Sequence, residues 1–191
     1  PSRAAIAEHV IEVAKKEGFT LNKGAAELIA IAADGSFRDA LSVTQKVLFA
    51  SGDKVGEADE VAAIIGAPRK ATLQALIKGM SARDTEAALS AIGEAVAAHA
   101  DMKLFLRVVL ERVRAVMLLR NMPNKSDELL KTFSPEDQEL LTELAKDASS
   151  ALNSHALLRL LEVSRQMNAV ALQHLPLELA VVDITSPKET K

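Results

Sequence analysis

Apolar residues recur at helical spacing along most of the chain, and this pattern limits the folds available to it more than any other feature. The clearest example is the broad apolar stripe after Asp101, which consists of Leu104, Phe105, Val108, Val109, Val116 and Leu119. No run of alternating apolar and polar residues is long enough to predict a strand. Aromatic residues make up only 3% of the sequence against 49% hydrophobic residues, so the core must consist mainly of aliphatic side chains. We therefore predict an all-α fold.

Residues that favour the ends of helices divide the chain into a series of predicted helices. These helices span residues 2–18, 23–33, 36–52, 57–65, 68–80, 81–100, 101–121, 127–133, 134–148, 153–173 and 175–184. The helix at 81–100 is expected to begin at Ser81 as its N-cap, because Asp84 stands three residues later at the capping-box position. The helix at 134–148 has a strong start signal, a serine cap followed by proline and two acidic residues.

The sequence Gly-Ala-Pro at residues 66–68 is the best candidate for a domain boundary. Glycine ends a helix, and proline is preorganised to begin the next one. The helices predicted before this point are short, and those that follow it are longer. We expect a small unit of three to four helices at residues 1–66, a larger helical unit at residues 67–184 and a polar tail or linker at residues 185–191.

The segment 34–42 places a positively charged residue at the start of a helix. Ser36 is a favoured N-cap, and Asp39 stands three residues later, where its carboxylate can complete a capping box. Arg38 then lies in the first turn, where the helix dipole disfavours a cation. Two interpretations are open. Arg38 forms a surface ion pair with Asp34 or Asp39, or Arg38 and the helix N-terminus together face an anion such as phosphate.

Several kinds of chemistry are not supported by the sequence. The chain contains no cysteine, which excludes disulfides, thiolate metal sites and cysteine nucleophiles. The histidines at 9, 99, 155 and 174 are scattered, without a partner at metal-ligand spacing. No glycine-rich phosphate loop and no serine nucleophile motif is present. The formal net charge of −3 argues against an affinity of the whole chain for nucleic acid. We expect neither a catalytic site nor a metal site.

Lys103, Arg107 and Arg114 fall on one face of the helix at 101–121, because they are four and seven residues apart. Arg120 lies near the end of the same helix. The first interpretation is a solvated face of an amphipathic helix. A contact with another protein is the second interpretation, and a contact with nucleic acid is the third.

Two groups of residues carry a resemblance to a known family. The first consists of Glu17-Gly18, the helix at 25–33, Gly35-Ser36-Phe37-Arg38-Asp39-Ala40-Leu41-Ser42 with Thr44 and Gln45, and then Val61 and Ile65-Gly66. The second is the terminal Leu175-Pro176-Leu177-Glu178-Leu179-Ala180. The first group resembles the lid domain of the gamma/tau subunit of bacterial DNA polymerase III, the AAA+ motor of the clamp loader. The second group is similar to the helix that closes the third domain of that family.

The resemblance implies a role for Arg38. In the family, the lid follows an N-terminal AAA+ ATPase domain. The arginine that matches Arg38 is the sensor-2 residue, which reaches the γ-phosphate of the ATP bound to that preceding domain. Such a partner would explain a cation at the start of a helix. ATP with Mg²⁺ is therefore the cofactor expected in the full-length protein, and no cofactor is expected for the fragment alone.

The resemblance also implies partners. The domain after the lid is a helical collar through which five clamp-loader subunits assemble into a ring, and it would correspond to residues 67–184. The expected partners are other gamma/tau subunits, delta and delta-prime, and the sliding clamp and primed DNA are expected only through the full assembly. We expect a cytoplasmic location and no membrane partner, because no apolar run approaches the roughly 18 residues that span a bilayer.

Departures from the family pattern indicate a fragment. The chain begins where the ATPase domain should already have ended, so it lacks the family's Walker A lysine, Walker B acids, zinc-binding cysteines and arginine finger. We expect no enzymatic activity from such a fragment alone. Phe37 stands where the family more often has leucine, and Val43 and Lys46 also differ from the commonest pattern. None of these differences changes Arg38.

Two alternatives to this interpretation are retained. The chain could be the lid and helical domain of another AAA+ ATPase, although the Leu-Pro-Leu-Glu-Leu-Ala ending argues against that assignment. It could also be a free-standing helical adaptor without a nucleotide role, in which Arg38 would be explained only as a surface ion pair. In the favoured interpretation Arg38 is exposed, so its replacement by alanine should leave folding nearly intact.

Overall fold

The structure is a computed structural model that describes residues 1–51 and 55–186, and of residue 55 only the backbone. Its helices are α1 (Arg3–Lys16), α2 (Lys23–Ala32), α3 (Phe37–Ala50), α4 (Ala58–Ile65), α5 (Lys70–Ala82), α6 (Thr85–Ala97), α7 (Met102–Asn121), α8 (Ser126–Leu130), α9 (Pro135–Lys146), α10 (Ser154–Gln166) and α11 (Leu175–Thr185). A 3₁₀ turn, Pro123–Lys125, leads from α7 into α8. The prediction of an all-α fold is confirmed. The polar tail predicted at 185–191 lies mostly outside the described residues.

Two very short strands lie in the N-terminal unit, defined here as α1 to α4. Strand β1 (Thr20–Leu21) pairs in parallel with strand β2 (Val55–Gly56). The expectation that the chain forms no strand is wrong here, because a strand of two residues is too short to produce a visible alternation. Gly56 permits this pairing, since a Cβ atom at its position would lie only 2.5 Å from Cδ2 of Leu21.

The N-terminal unit packs α1 against α2 and α3, and α4 against α2. Side-chain caps begin three of these helices, and that of α3 is described below. Oγ of Ser2 accepts from the N–H of Ala5, and Oδ1 of Asn22 accepts from the N–H of Ala25. The core consists mainly of small aliphatic side chains, including Ile6, Val10, Ile29, Ala40 and Val47. The first three residues of α3, 37–39, are exposed, whereas Ala40 after them is buried in this core.

The C-terminal unit, defined here as α5 to α11, is organised around the long helix α7, which packs against α5, α9 and α10. The apolar stripe predicted on α7 is confirmed, because each of its residues is at most 7% exposed. Helices α5 and α6 pack closely at Gly79. A Cβ atom there would lie 2.8 Å from the backbone nitrogen of Ala88, so only glycine allows this approach.

The start of α6 differs from the prediction. Helix α5 continues through Ser81, and Arg83 then adopts a left-handed conformation with a φ of 59°. Asp84 is the N-cap of α6, and its carboxylate accepts from the N–H of Ala87 at 3.0 Å. Ser81 cannot cap the helix because it is buried within α5, where its hydroxyl donates to Oγ of Ser150 at 2.7 Å. The acidic residue therefore begins α6, and the serine holds α5 to a distant loop.

Helices α2 and α4 contribute to the cores of both units. In α2, Ile29 belongs to the smaller core, whereas Leu28 belongs to the larger one. In α4, Val61 and Ala62 divide in the same way. The two units therefore share a packed boundary, and the domain division proposed at residues 66–68 stays a prediction.

Candidate functional site

Ser36 begins α3 as the sequence predicts. Its side chain accepts a hydrogen bond from the backbone N–H of Asp39 at 3.2 Å, which satisfies one free donor of the first turn. The second half of the predicted capping box is not formed among the described residues. The N–H of Ser36 donates instead to the carbonyl of Ala33 at 3.0 Å, so it does not need the carboxylate of Asp39. The serine cap is confirmed, and the reciprocal contact of Asp39 is corrected.

The chain reverses sharply between α2 and α3. Asp34 and Gly35 both have positive φ angles, 51° and 84°, which are accessible to an aspartate and easily adopted by a glycine. The ring of Phe37 then packs edge-on against the ring of His9 in α1, with 5.2 Å between the ring centroids. This contact holds the first turn of α3 against α1, while the neighbouring side chain, Arg38, points away from the core and is exposed.

Arg38 has no side-chain partner among the residues that the structure describes. Its carbonyl accepts a hydrogen bond from the hydroxyl of Ser42 at 3.1 Å, but its guanidinium makes neither a hydrogen bond nor an ion pair with residues 1–51 and 55–186. Asp34, one of the two acids considered as its partner, pairs instead with Arg107 at 2.9 Å. The surface-ion-pair interpretation is therefore wrong in this structure. The phosphate interpretation stays a prediction.

The basic stripe predicted on α7 is not a uniform solvated face. Lys103 and Arg114 are exposed, whereas Arg107 contacts the N-terminal unit through Asp34. Arg120 lies elsewhere and donates to four backbone carbonyls, those of Leu144, Ala145, Asp147 and Leu152. These carbonyls lie at the end of α9 and just beyond it, where helical partners are missing. Two of the four cations therefore serve contacts within the protein.

Arg112 was not singled out by the sequence, yet it forms the most buried charged cluster of the described residues. One terminal nitrogen of its guanidinium lies 3.1 Å from Oε1 of Glu27 in α2, and the other lies 2.9 Å from Oδ2 of Asp137 in α9. The guanidinium also lies over the ring of Phe133, 5.6 Å from its centroid. The signal that could have indicated this cluster is a charged residue within an apolar face, which both α2 and α7 contain.

The cluster holds two carboxylates and only one cation in a buried site. Burial raises the pKa of the Glu27 carboxyl group from its ordinary value of 4.5 to about 7, and Arg112 opposes this shift only in part. The negative charge of Asp137 raises the pKa of Glu27 further, while the more distant Arg3 lowers it slightly. Oε2 of Glu27 accepts no hydrogen bond from the described residues, which is consistent with a weakly stabilised negative charge.

A second surface of interest lies on α10 and α11, which pack against each other. Large apolar side chains are exposed here, and they are Leu158, Leu161, Leu175, Leu179 and Val182. We call this set the α10–α11 surface. Its most exposed members are Leu158 at 61% and Leu179 at 59%. Leucines three or four residues apart lie on one face of a helix, and a cluster of exposed apolar side chains is a candidate protein-binding site.

Comparison with protein-family models gives two matches that together cover most of the chain. Residues 5–52 match the ATPase lid domain of the DNA polymerase III clamp loader subunit, and residues 57–185 match domain III of the DNA polymerase III subunits gamma and tau. No curated protein sequence matches the chain. Within the described part of the chain, no helix combines the length and the apolarity that crossing a membrane requires.

One solved structure that is similar to this chain is the Bacillus subtilis DNA clamp loader delta protein YqeN. The sequences are 15% identical, and the TM-score is 0.47. The match covers 97% of this chain and 57% of that protein, so the chain spans little more than half of its length.

Proposed function

Because the chain belongs to the gamma/tau family of DNA polymerase III clamp loader subunits, we propose that its lid contributes Arg38 to ATP sensing and that its collar joins clamp-loader subunits. We call the N-terminal unit the lid and the C-terminal unit the collar, and α4, which packs with the lid helices, lies within the residues that match domain III. Domains of this kind assemble with other clamp loader subunits in DNA replication. The alternative of another AAA+ ATPase is not supported, because residues 57–185 match domain III of gamma and tau themselves.

The proposal for Arg38 is supported by its exposed and unpaired guanidinium at the start of α3. The N–H groups of a first helical turn have no helical acceptors, and together with a guanidinium they suit phosphate oxygens. The chain itself supplies no glycine-rich phosphate loop, so its contribution to an ATP site would be this single arginine. ATP with Mg²⁺ would be held by the preceding ATPase domain of the full-length protein. There, the guanidinium would stabilise negative charge on the γ-phosphate.

The proposal for the collar is supported by the α10–α11 surface. Its leucines are unpaired in the described chain, and burying them against another apolar face would remove them from water. The specific partners that we propose are other gamma/tau subunits, delta and delta-prime, each through its corresponding domain. The sliding clamp and primed DNA would then be contacted only by the complete assembly. A cytoplasmic location stays a prediction.

ATP sensing can be tested by Arg38→Ala in a full-length protein that includes the ATPase domain. We expect ATP-driven clamp loading to fall by about tenfold or more, since hydrogen bonds to charged groups contribute roughly 1.5–3 kcal/mol. Lys46→Ala is the matched control, because Lys46 is an exposed cation on the same helix, away from its first turn. Equal clamp-loading rates for both variants would reassign Arg38 to the ordinary surface and favour a helical adaptor without a nucleotide role.

Assembly can be tested by size-exclusion chromatography with light scattering, using the purified chain alone and mixed with delta and delta-prime. We expect co-elution in a defined ratio, and loss of co-elution for the double variant Leu158→Glu, Leu179→Glu. Phe49→Glu is the control, because Phe49 is 84% exposed but lies on α3 in the lid. If the unmodified chain stays monomeric with both partners, the proposed collar function is contradicted.

A further inference from the structure

Four ion pairs among the described residues connect the lid to the collar. They are Arg3 with Glu111, Glu8 with Lys131, Asp34 with Arg107, and Glu27 with Arg112. Three of them include side chains in contact with water, and such surface pairs contribute little and are weakened by salt. The pair of Glu27 with Arg112 is different, because the two side chains are only 2% and 6% exposed.

Arg112 contacts an acid on each side of the boundary. Its helix, α7, belongs to the collar, as does Asp137 of α9, whereas Glu27 belongs to the lid helix α2. The flat guanidinium uses both terminal nitrogens at once, and it also donates to the carbonyl of Val108 one turn earlier in α7 at 3.4 Å. Contacts within the collar therefore set the orientation of the guanidinium. Glu27 can pair with it only when the lid places the Glu27 carboxyl group beside its free terminal nitrogen.

Two clefts lie beside this contact, although apolar side chains of α2 and α4, among them Leu28 and Ala62, pack into the collar core elsewhere along the boundary. A cleft of about 480 Å³ lies on one side, between lid residues such as Asn22 and Leu28 and the collar residues Arg112 and Asp137. A second cleft of about 200 Å³ reaches Glu27 together with Phe133 of the collar. Clefts thus interrupt the apolar packing beside the cluster, and the charged contact adds a directional constraint to the apolar packing of the boundary.

We propose that Arg112 is a positioning residue that holds the lid in one orientation on the collar by pairing with Glu27 and Asp137 together. A rotation of the lid that moved Glu27 away would leave its carboxyl group, charged or protonated, buried without its polar partner, and burying an unpaired polar or charged group is unfavourable. If Arg38 senses ATP as proposed, a lid held in one orientation would also transmit a movement at Arg38 to the collar. This transmission rests on the proposed function, whereas the positioning of the lid by Arg112 does not.

The orientation can be measured directly in this chain. The sequence contains no cysteine, so Lys46→Cys in the lid and Lys78→Cys in the collar would give two unique positions for spin labels. Both lysines are exposed, and neither side chain makes a hydrogen bond or an ion pair with the other described residues. Pulsed electron spin resonance then gives the distribution of the distance between the lid and the collar. The unmodified cluster is expected to give one narrow distance, at low salt and at about 1 M salt, because a buried pair is screened little.

Glu27→Leu is the first test variant, because it leaves Arg112 paired with Asp137 and therefore no unpaired buried charge. We expect the distance distribution to broaden or to gain a second population while the helical content is kept. Glu27→Gln should retain the single narrow distance, since its amide oxygen can still accept from Arg112. Arg159→Met is the matched control, because Arg159 pairs with two acids, Glu162 and Asp183, that both lie within the collar.

The triple variant Glu27→Leu, Arg112→Met, Asp137→Leu separates positioning from stability. Apolar replacement of a complete buried ion cluster often preserves stability, so the melting temperature should not fall, yet the distance should lose its single value. An unchanged narrow distance in both Glu27→Leu and the triple variant would overturn the proposal. Because the measurement needs neither ATP nor a partner subunit, its outcome is independent of the Arg38→Ala test.

Discussion

Arg38 lies exposed at the start of α3 without a partner among the described residues, whereas Arg112 lies buried in α7 between two acids. Both are arginines of the same short protein, but their environments give them different uses. An exposed and unpaired cation costs the fold little, so it can serve a ligand that arrives from outside. A buried cation cannot be removed or moved without leaving charges unpaired, so it is committed to the fold.

The difference also separates the two units of the chain. The lid presents its unpaired arginine at a helix N-terminus, next to a turn held by the contact of Phe37 with His9 and by the ion pair of Asp34 with Arg107. The collar places its paired arginine in the middle of its longest helix, at the boundary with the lid. A change at Arg38 can affect the collar only through contacts between the two units, such as the pair of Arg112 with Glu27. The following changes test this comparison, from the largest expected effect to the smallest.

Arg112→Ala is expected to have the largest effect on stability. It leaves Glu27 and Asp137 buried without their cation, and removing one partner of a buried pair typically costs roughly 3–5 kcal/mol. Urea denaturation followed by circular dichroism would measure the loss. Arg159→Ala should cost about 1 kcal/mol or less, because its ion pairs are partly exposed. Equal losses for the two variants would mean that burial does not distinguish these arginines.

The raised pKa of Glu27 should be visible in the pH dependence of the free energy of unfolding. Its pKa is about 7 in the folded chain against an ordinary 4.5, so between these values the folded state keeps a proton that the unfolded state has released. The contribution of Glu27 to the free energy of unfolding should therefore be largest below pH 4.5 and fall as the pH rises to about 7, by on the order of 3 kcal/mol. Arg112, Asp137 and Arg3 are the charged groups that set this shift.

Glu27→Gln provides the control for this pH dependence, because glutamine does not titrate. The fall in stability between pH 4.5 and 7 should be largely removed in this variant. Carboxyl groups with a lowered pKa, such as Glu136 beside Lys70, act below their ordinary range and do not overlap this interval. An identical slope in the variant and the unmodified chain would show that Glu27 is charged in the folded state at neutral pH.

Arg107→Ala should have a smaller effect, although Arg107 also pairs across the boundary between the lid and the collar. Its side chain is 41% exposed and that of Asp34 is 72% exposed, so the pair is well solvated. We expect a loss of about 0.5 kcal/mol in the free energy of unfolding, disappearing at high salt. A larger loss that persists in high salt would show that the boundary depends on surface pairs as well as on Arg112.

The helical fold could be predicted from the sequence because helical spacing and helix caps are local signals. The buried stripe on α7 and the cap at Ser36 are of this kind, and both are confirmed. The N-cap of α6 is Asp84 and not the predicted Ser81. This difference could not be predicted, since Ser81 is held within α5 by its hydrogen bond to Ser150 in a distant loop. The pairing of β1 with β2 depends in the same way on two segments far apart in the sequence.

The residues of the candidate site likewise fall into those that local sequence signals indicate and those that only the tertiary structure reveals. Arg38 could be singled out because its position in the first turn of a helix is unfavourable by a local rule. Arg112 and Glu27 could not, because a charged residue in an apolar helix face has no visible reason until its partner in another helix is known. The pairing of Arg107 with Asp34 likewise required the packing of α7 against the lid. Local sequence therefore indicates which charges are unusual, and tertiary structure indicates which charges are paired.

Arg38→Ala is expected to have the smallest effect on the stability of the chain. Exposed substitutions away from specific contacts change the free energy of unfolding by less than about 0.5 kcal/mol. Removing a cation from a helix N-terminus should even stabilise the chain slightly, with a gain that shrinks as salt is added. Urea denaturation at low and high salt would measure this change, with Lys46→Ala as the control beyond the first turn of the same helix.

A clear loss of stability in Arg38→Ala would show that the side chain has a structural partner, and the contrast with Arg112 would then fail. The expected result is the opposite combination, an unchanged or slightly higher stability together with slower ATP-driven clamp loading in the full-length protein. The fold gains nothing from this arginine, since its helix position is unfavourable and its guanidinium has no partner among the described residues. Both properties are those that the proposed phosphate contact requires, because a first helical turn with free N–H groups and an unpaired guanidinium suits an anion.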